Sequence, residues 1–404
     1  MYLSLSWRNI WRNKRRTLIA AASVFFAVIL AALMRSGQEG SYSYMIHSSA
    51  KLFTGYLQVQ HEDYWEKRSL NKSIVMKDSL VQAIQALPHV TSLSPRLESY
   101  ALISHGSETR VSQVIGMQPE YEQAMTNLKD KLIAGRYLTS GSESALIGEG
   151  LADLLHVGLG DSIVLYGQGF QGLIAAAKLP IQGIIKMPFE SMNNAMVYLA
   201  LPNAQDIFAT YDRITSLPIM VDNIRHLATV DQQIASMTHH KYALKSWDEM
   251  LPELKQNIQV DNASGIIMLI ILYIVIAFGV FGTVMMMISE RAREFGILIS
   301  VGMRKWRLMV VTTIETILVA FTGVISGVIA SIPIIYYFHH HPIHFTGEAT
   351  HTFEQLNIEP IFNFSMNPSI FWDQAFIVLI IALATAVYPL LFIRRLKPID
   401  AVRG

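Results

Sequence analysis

Four stretches of the chain abandon the usual mixing of polar and apolar positions. Residues 17–34 are eighteen positions without a charge, residues 263–289 twenty-seven and residues 374–393 twenty, while residues 308–338 carry a single charge, Glu315. About 20 apolar residues take a helix across the hydrocarbon core of a bilayer. A helix satisfies its own backbone polar groups, which lipid cannot do. The pattern predicts four transmembrane helices, at 17–35, 263–289, 308–338 and 374–393. A basic start followed by an apolar run is also how a signal peptide begins. The length of the first run, and the lack of a small-residue cleavage site before Arg35, favour a retained span.

Between the first two spans lies an insert, 36–262, with the size of one or two domains. Its periodicities are mixed. Residues 56–60 alternate as a strand does, and 111–116 and 162–166 are also strand-like. Residues 78–87 have helical spacing with an acidic start and a proline stop. Residues 144–155 read as a strand entering a short helix, followed by the turn Gly158-Leu159-Gly160-Asp161, with further helices near 201–210 and 230–237. Residues 247–260 keep helical spacing and are expected to run straight into the second span, joining the outer domain rigidly to the membrane. The fold class expected is an α-helical membrane protein with four transmembrane helices and a large mixed α/β domain inserted between helices 1 and 2.

Charge adds orientation. Arg8, Arg12, Lys14, Arg15 and Arg16 precede the first span; Arg291, Arg293, Arg304, Lys305 and Arg307 lie between the second and third; Arg394, Arg395, Lys397 and Arg403 follow the fourth. The loop 339–373 has no lysine or arginine. Basic residues in short loops mark the cytoplasmic side, so both termini (1–16 and 394–404) and the loop 290–307 are expected on that side of the membrane, the insert and loop 339–373 on the other. In residues 1–16, Trp7 and Trp11 interleave with Arg8 and Arg12, which suits an amphipathic helix anchored in the headgroup layer; a frayed basic tail is the plainer alternative.

The chain has no cysteine, which rules out disulfides and cysteine-ligated metal. No phosphate-binding Gly-x-x-x-x-Gly-Lys-Ser/Thr loop, His-Glu-x-x-His or Gly-x-Ser-x-Gly motif is present, so no ATP site, metal site or other cofactor site is expected in this chain. The basic residues are not interleaved with aromatics over a soluble domain, which argues against nucleic acid. His339, His340, His341 and His344 read as interfacial polar residues rather than metal ligands. Glu315 is either bonded to a neighbouring span or to a second copy of the chain, or reaches headgroups and water, since intramembrane carboxylates are costly. Gly323 and Gly327 form a Gly-xxx-Gly pattern that predicts close helix packing, against another span or a second copy of the chain.

After the second span the chain reads Ser289-Glu290-Arg291-Ala292-Arg293-Glu294-Phe295-Gly296-Ile297-Leu298, then Gly302. This resembles the cytoplasmic signature of the FtsX/MacB/Lol permease superfamily. Trp7-Arg8-Asn9-Ile10-Trp11-Arg12 resembles that family's N-terminal motif, Ala145-Leu146-Ile147-Gly148-Glu149-Gly150 and Val157-Gly158-Leu159-Gly160-Asp161 its outer-domain motif, and Pro398-Ile399-Asp400-Ala401-Val402-Arg403 its C-terminal motif. Gly55-Tyr56-Leu57-Gln58-Val59-Gln60 and Ser246-Trp247 are most similar to the lipoprotein-releasing Lol permeases. Ile299-Ser300 departs from the pattern, where relatives often carry arginine or another polar residue with alanine.

The resemblance implies a permease subunit, not itself an enzyme, that passes the work of a separate cytoplasmic ABC ATPase to its outer domain. ATP and magnesium would be bound by that partner. Glu290, Arg291, Arg293, Glu294, Phe295, Gly296, Ile297 and Gly302 would form a short coupling helix below the membrane, seated on the ATPase; a solvated charged loop is the plainer reading of the same residues. A second permease copy, the lipid bilayer, a lipoprotein substrate and a periplasmic carrier are the other partners implied. Efflux of a drug, toxin or peptide, or regulation of a cell-wall hydrolase, are the alternatives the same family offers.

Overall fold

The computed structural model describes residues 6, 8, 10–12, 14–75, 77–238, 241–345 and 361–395. A long helix, α1 (Lys14–Ser49), passes into a π-helical turn, Ala50–Thr54. Strands and short helices follow: β1 (Leu57–Gln60), α2 (Asp78–Gln85), β2 (Val90–Leu93), β3 (Arg96–His105), β4 (Glu108–Met117), α3 (Pro119–Thr126), β5 (Leu132–Gly135), β6 (Ala145–Gly148), α4 (Glu149–Leu155), β7 (Ser162–Gln168), β8 (Ile174–Ile185), β9 (Met196–Ala200), α5 (Leu201–Ile207), β10 (Ser216–Val221), α6 (Leu227–Met237) and β11 (Ala243–Ser246). The chain then forms α7 (Pro252–Ser300), α8 (Lys305–His340), α9 (Pro368–Thr385) and α10 (Val387–Arg395). Four helical stretches, Thr17–Thr54, Pro252–Ser300, Lys305–His340 and Pro368–Arg395, are long and apolar enough to cross a membrane.

Two compact units divide the chain: a helical unit built from α1 up to Ser43, α7 from Asn257, and α8–α10, and an α/β unit spanning Tyr44–Gln256. In the helical unit, α8 packs on α1 through its two glycines. A Cβ at Gly323 would stand 2.8 Å from the Ala21 carbonyl oxygen and from Val24 Cβ; one at Gly327 would stand 2.9 Å from the Phe25 oxygen and from Val28 Cβ. The Gly-xxx-Gly pattern is therefore used within the chain, where small residues let two backbones approach, and is not left for a second copy. The run 374–393, read as one span, is two helices meeting at Ala386. Pro389 has no N–H to offer the Thr385 carbonyl, which is where the ladder breaks. Beyond the apolar run, α1 and α7 are joined by side chains. Arg35 Nη1 donates to Gln38 Oε1 (2.9 Å) and Asn262 Oδ1 (3.0 Å), and the Tyr42 hydroxyl donates to Asp261 Oδ2 at 2.5 Å.

In the α/β unit one eleven-stranded sheet runs in the order β11-β1-β10-β3-β4-β9-β6-β8-β5, with β2 added on β10 and β7 bridging β3 and β8. The pairs β4–β9 and β6–β8 are parallel, the others antiparallel. Every residue of β6 and β9 is buried, as expected of strands covered on both faces. β3 and β4 instead form a long, half-exposed hairpin closed by Gly106-Ser107, with Gly106 at φ +56° as a two-residue turn requires. Val59, Ile103, Val114, Ile147, Leu165 and Ile219 form the core with Ile84, Leu151 and Ile234 of the covering helices. The strands expected near 56–60, 111–116 and 162–166 are β1, part of β4 and β7, and the helices expected at 78–87, 201–210 and 230–237 are α2, α5 and α6. Residues 247–260 contain a break: a turn of helix, Trp247–Met250, stops at Leu251 before Pro252 opens α7.

The π-helical turn after α1 is fastened by a buried ion pair. Arg96 on β3 meets Glu122 on α3 through two hydrogen bonds, Nε to Oε2 at 2.9 Å and Nη2 to Oε1 at 2.7 Å, with side chains 2% and 1% exposed. Its Nη1 donates to the carbonyl oxygens of Leu52 (3.3 Å) and Phe53 (2.9 Å), and Ser94 Oγ donates to Glu122 Oε2 at 2.8 Å. Burial alone would lower the Arg96 guanidinium; the charge and hydrogen bonds of Glu122 outweigh it and hold the group above its ordinary value.

Candidate coupling site

The signature after the second span is the continuation of α7. Glu290 to Glu294 are mostly good helix formers, no proline intervenes, and α7 runs unbroken through them to Ser300. The separate short helix expected here does not form. The end is set at Gly302, in the left-handed region at φ +104°. The Gly302 N–H bonds to Ile299 O and the Met303 N–H to Leu298 O, both 3.0 Å, which is a Schellman ending. Gly302 thus stops the helix, and α8 starts three residues later.

Helical spacing sorts the motif into two faces. Val284, Ile288, Arg291 and Phe295 recur at three- and four-residue intervals and are buried, with Gly296 beside them. Glu290, Arg293, Glu294 and Ile297 are exposed. Arg291 turns inward and pairs with Glu315 of α8, Nη1 to Oε2 at 2.5 Å, the side chains 9% and 5% exposed. Its guanidinium carbon lies 5.2 Å from the centre of the Phe295 ring. Arg291 Nε has no hydrogen-bond partner among the described residues, and Glu294 Oε2 is 3.5 Å away. Glu294 in turn is 3.7 Å from Arg12 Nη2 at the surface. A line of alternating charge therefore runs from exposed Arg12 through Glu294 and Arg291 to buried Glu315. Glu315 is thus bonded to Arg291, which lies just past the second span.

The N-terminal residues reach the same region. Ser6 Oγ donates to the Val311 carbonyl of α8 at 3.1 Å, and Lys14 Nζ lies 5.2 Å from the centre of the exposed Trp11 ring. Arg8 and Arg12 are exposed and helical. Trp7 and the 398–403 motif lie outside the described residues. Ile297, expected at the site, is exposed, but sequence reasoning missed the other apolar residues of that surface: Val301 is 83% exposed, and Trp306 and Leu298 are also open. The available signal was the presence of large apolar residues in an otherwise charged loop. The histidines near 339 do not converge. His339, His340 and His341 each direct Nδ1 to a separate backbone carbonyl, of Phe364, Tyr336 and Tyr337.

Two family models match. Residues 17–237 match the MacB-like periplasmic core domain, and residues 266–398 the FtsX-like permease C-terminal region. The lipoprotein-releasing system transmembrane protein LolC of Xylella fastidiosa (strain 9a5c) is 23% identical over 255 residues, 61% of this chain and 60% of that one. The macrolide export ATP-binding/permease protein MacB 1/2 of Paracoccus denitrificans (strain Pd 1222) is 21% identical over 345 residues, 82% of this chain and 50% of that one. The solved periplasmic region of MacB from Actinobacillus actinomycetemcomitans overlaps with a TM-score of 0.36 at 14% identity, over 50% of this chain and 91% of that one. The match spans about three fifths of the length of the LolC relative. With one family model covering the first span and most of the α/β unit and the other covering the last three spans, the chain belongs to the FtsX/MacB/Lol family of membrane permeases.

Proposed function

We propose that this chain is the permease subunit of an ABC-type machine in a bacterial inner membrane, with both termini cytoplasmic, and that it converts the work of a separate ATPase into motion of its α/β unit. The observation that carries this reading is the unbroken run of α7 from Pro252 to Ser300. A displacement at its signature end cannot be absorbed by a hinge within the helix. Arg293, Ile297, Val301 and Trp306 are the outward residues offered to the ATPase, which itself holds ATP and magnesium. Arg291 and Glu315 keep the end of α7 registered against α8. The large apolar side chains along α7, among them Ile267, Val275 and Phe278, are exposed in the single chain and supply surface for lipid and for a second permease copy.

The cargo favoured is a lipoprotein, handed to a periplasmic carrier. Support comes from the lipoprotein-releasing relatives, and from a groove of about 400 Å³ in the α/β unit lined by Tyr100, Leu102, Val111, Tyr166, Leu173 and Ile174, an apolar surface suited to a lipid-bearing partner. Export of a drug or peptide is the second reading, since a macrolide exporter aligns along 82% of this chain.

The test is a double variant, Arg293→Glu with Val301→Asp, in the membrane complex. Co-purification of the ATPase is expected to fall at least tenfold while the permease stays in the membrane. Undiminished association would mean that the ATPase docks elsewhere. Because the chain has no cysteine, Tyr100→Cys and Val301→Cys can be labelled from either side; labelling from the same side would overturn the topology. Lipoproteins retained by the purified complex would support the cargo assignment, and their absence alongside a bound small molecule would favour export.

A further inference from the structure

Away from the coupling site, three residues of the α/β unit bring metal-binding atoms together. His89 lies in the turn between α2 and β2, Asp222 directly follows β10, and His226 ends a 3-10 turn, Ile224–His226. Both imidazoles direct Nδ1 to one carboxylate: His89 to Asp222 Oδ2 at 2.9 Å and His226 to Asp222 Oδ1 at 2.8 Å. The rings stack with centroids 3.7 Å apart and planes 29° from parallel. The backbone holds them there. The Asp222 N–H donates to the His89 carbonyl at 3.0 Å, the His226 N–H to the Asn223 carbonyl at 3.0 Å, and the Asn223 side chain caps the turn by accepting from the Arg225 N–H at 2.9 Å. His89 sits at φ +71°, a region few residues with a side chain occupy.

One donor atom from each of the three lies within 4.8 Å of the other two. A tetrahedral zinc ion, with ligands at about 2.0–2.2 Å, draws its donors to roughly 3.4 Å from one another, which small side-chain rotations supply. Two imidazoles and a carboxylate form a donor set that zinc accepts in protein sites. The three side chains are 37%, 44% and 40% exposed, which leaves an approach from solvent and room for water at a fourth position.

We propose that His89, Asp222 and His226 form a binding site for a divalent transition metal of zinc-like preference, with three protein ligands and one open position. The bound ion clips the turn before β2 to the end of β10, joining segments 133 residues apart in sequence. The site is independent of the coupling residues and of the cargo.

The test uses the full-length purified protein, stripped with a chelator and titrated with Zn²⁺ alone by calorimetry. One ion per chain is expected at micromolar concentration or tighter, with a rise in the thermal unfolding midpoint. Co²⁺ in its place is expected to give the visible absorption of a tetrahedral centre. His89→Asn, which tolerates the left-handed backbone, and His226→Ala are each expected to weaken binding at least tenfold. Asp222→Asn preserves side-chain size and is expected to do the same in a folded chain, as checked by circular dichroism. A His339→Ala/His340→Ala variant is expected to bind as the parent does. No zinc binding at micromolar concentration, affinity unchanged in the three site variants, or a loss that follows His339 and His340 would each overturn the assignment.

Discussion

Among the described residues two arginine–glutamate pairs are buried, and they are built differently. Arg96 and Glu122 in the α/β unit form a closed set: Nε and Nη2 meet the carboxylate, Nη1 meets two carbonyls, and Ser94 completes the acceptor side. Arg291 and Glu315 in the helical unit share one short contact, and Arg291 Nε faces Glu294 only at 3.5 Å. A buried charge is tolerated when its hydrogen bonds are complete. The first pair meets that condition and fixes the turn into which α1 runs. In the second, Arg291 Nε makes no hydrogen bond among the described residues and lies 3.5 Å from Glu294, itself 3.7 Å from Arg12, at a helix end with its outer face exposed. The lesson is that identical chemistry makes a closed joint where every donor nitrogen is occupied and an open one where a donor faces a surface neighbour, and in the function proposed above the open joint is the movable one.

The sharpest way to break this contrast is Arg96→Ala. It strands the Glu122 charge in the core and is expected to cost about 3–5 kcal/mol, read as loss of folded protein in denaturant titration. The paired Arg96→Met/Glu122→Leu variant should recover most of that, since apolar replacement of a whole buried pair is often neutral. Glu315→Gln comes next. It leaves Arg291 within reach of Glu294, so stability should fall by about 1.5–3 kcal/mol, while ATP hydrolysis in the assembled complex loses its dependence on the permease. A Glu315→Gln complex with parental stimulation would place the movable joint elsewhere. Glu294→Gln should shift stability less than Glu315→Gln, yet still weaken stimulation, because it removes the second carboxylate beside Arg291. Smallest is Arg12→Ala: an exposed pair at 3.7 Å is expected to contribute about 0.2–1 kcal/mol, and the effect should vanish in high salt.

How much of this was legible beforehand depends on sequence distance. The four spans were, because an uncharged run carries its signal within 20 residues, and α2, β1 and β7 were for the same reason. The order of strands was not, since β10 sits between β1 and β3 although some 110 residues separate it from β3, and nothing local encodes that. The signature was found, but its two faces emerged only once α7 was seen to continue, putting Arg291 and Phe295 in register with Val284 and Ile288. The partner of Glu315 stood 24 residues away in plain view, yet only the helix turn at Gly302 brings α8 back beside Arg291. Arg96 and Glu122, 26 residues apart on a strand and a helix, gave no pattern at all.

The uncharged stretch of α7 has a geometric consequence. Twenty-seven residues at 1.5 Å each extend about 40 Å, against a hydrocarbon layer of about 30 Å. The helix meets that excess by leaning in the bilayer or by thickening the lipid around it. A leaning shaft behaves as a seesaw: changing its inclination moves Ser300 and Pro252 in opposite directions parallel to the membrane plane. In the function proposed above, bilayer thickness then becomes a setting for the stroke, and a shift in lipid chain length would alter how far one end travels for a given push at the other.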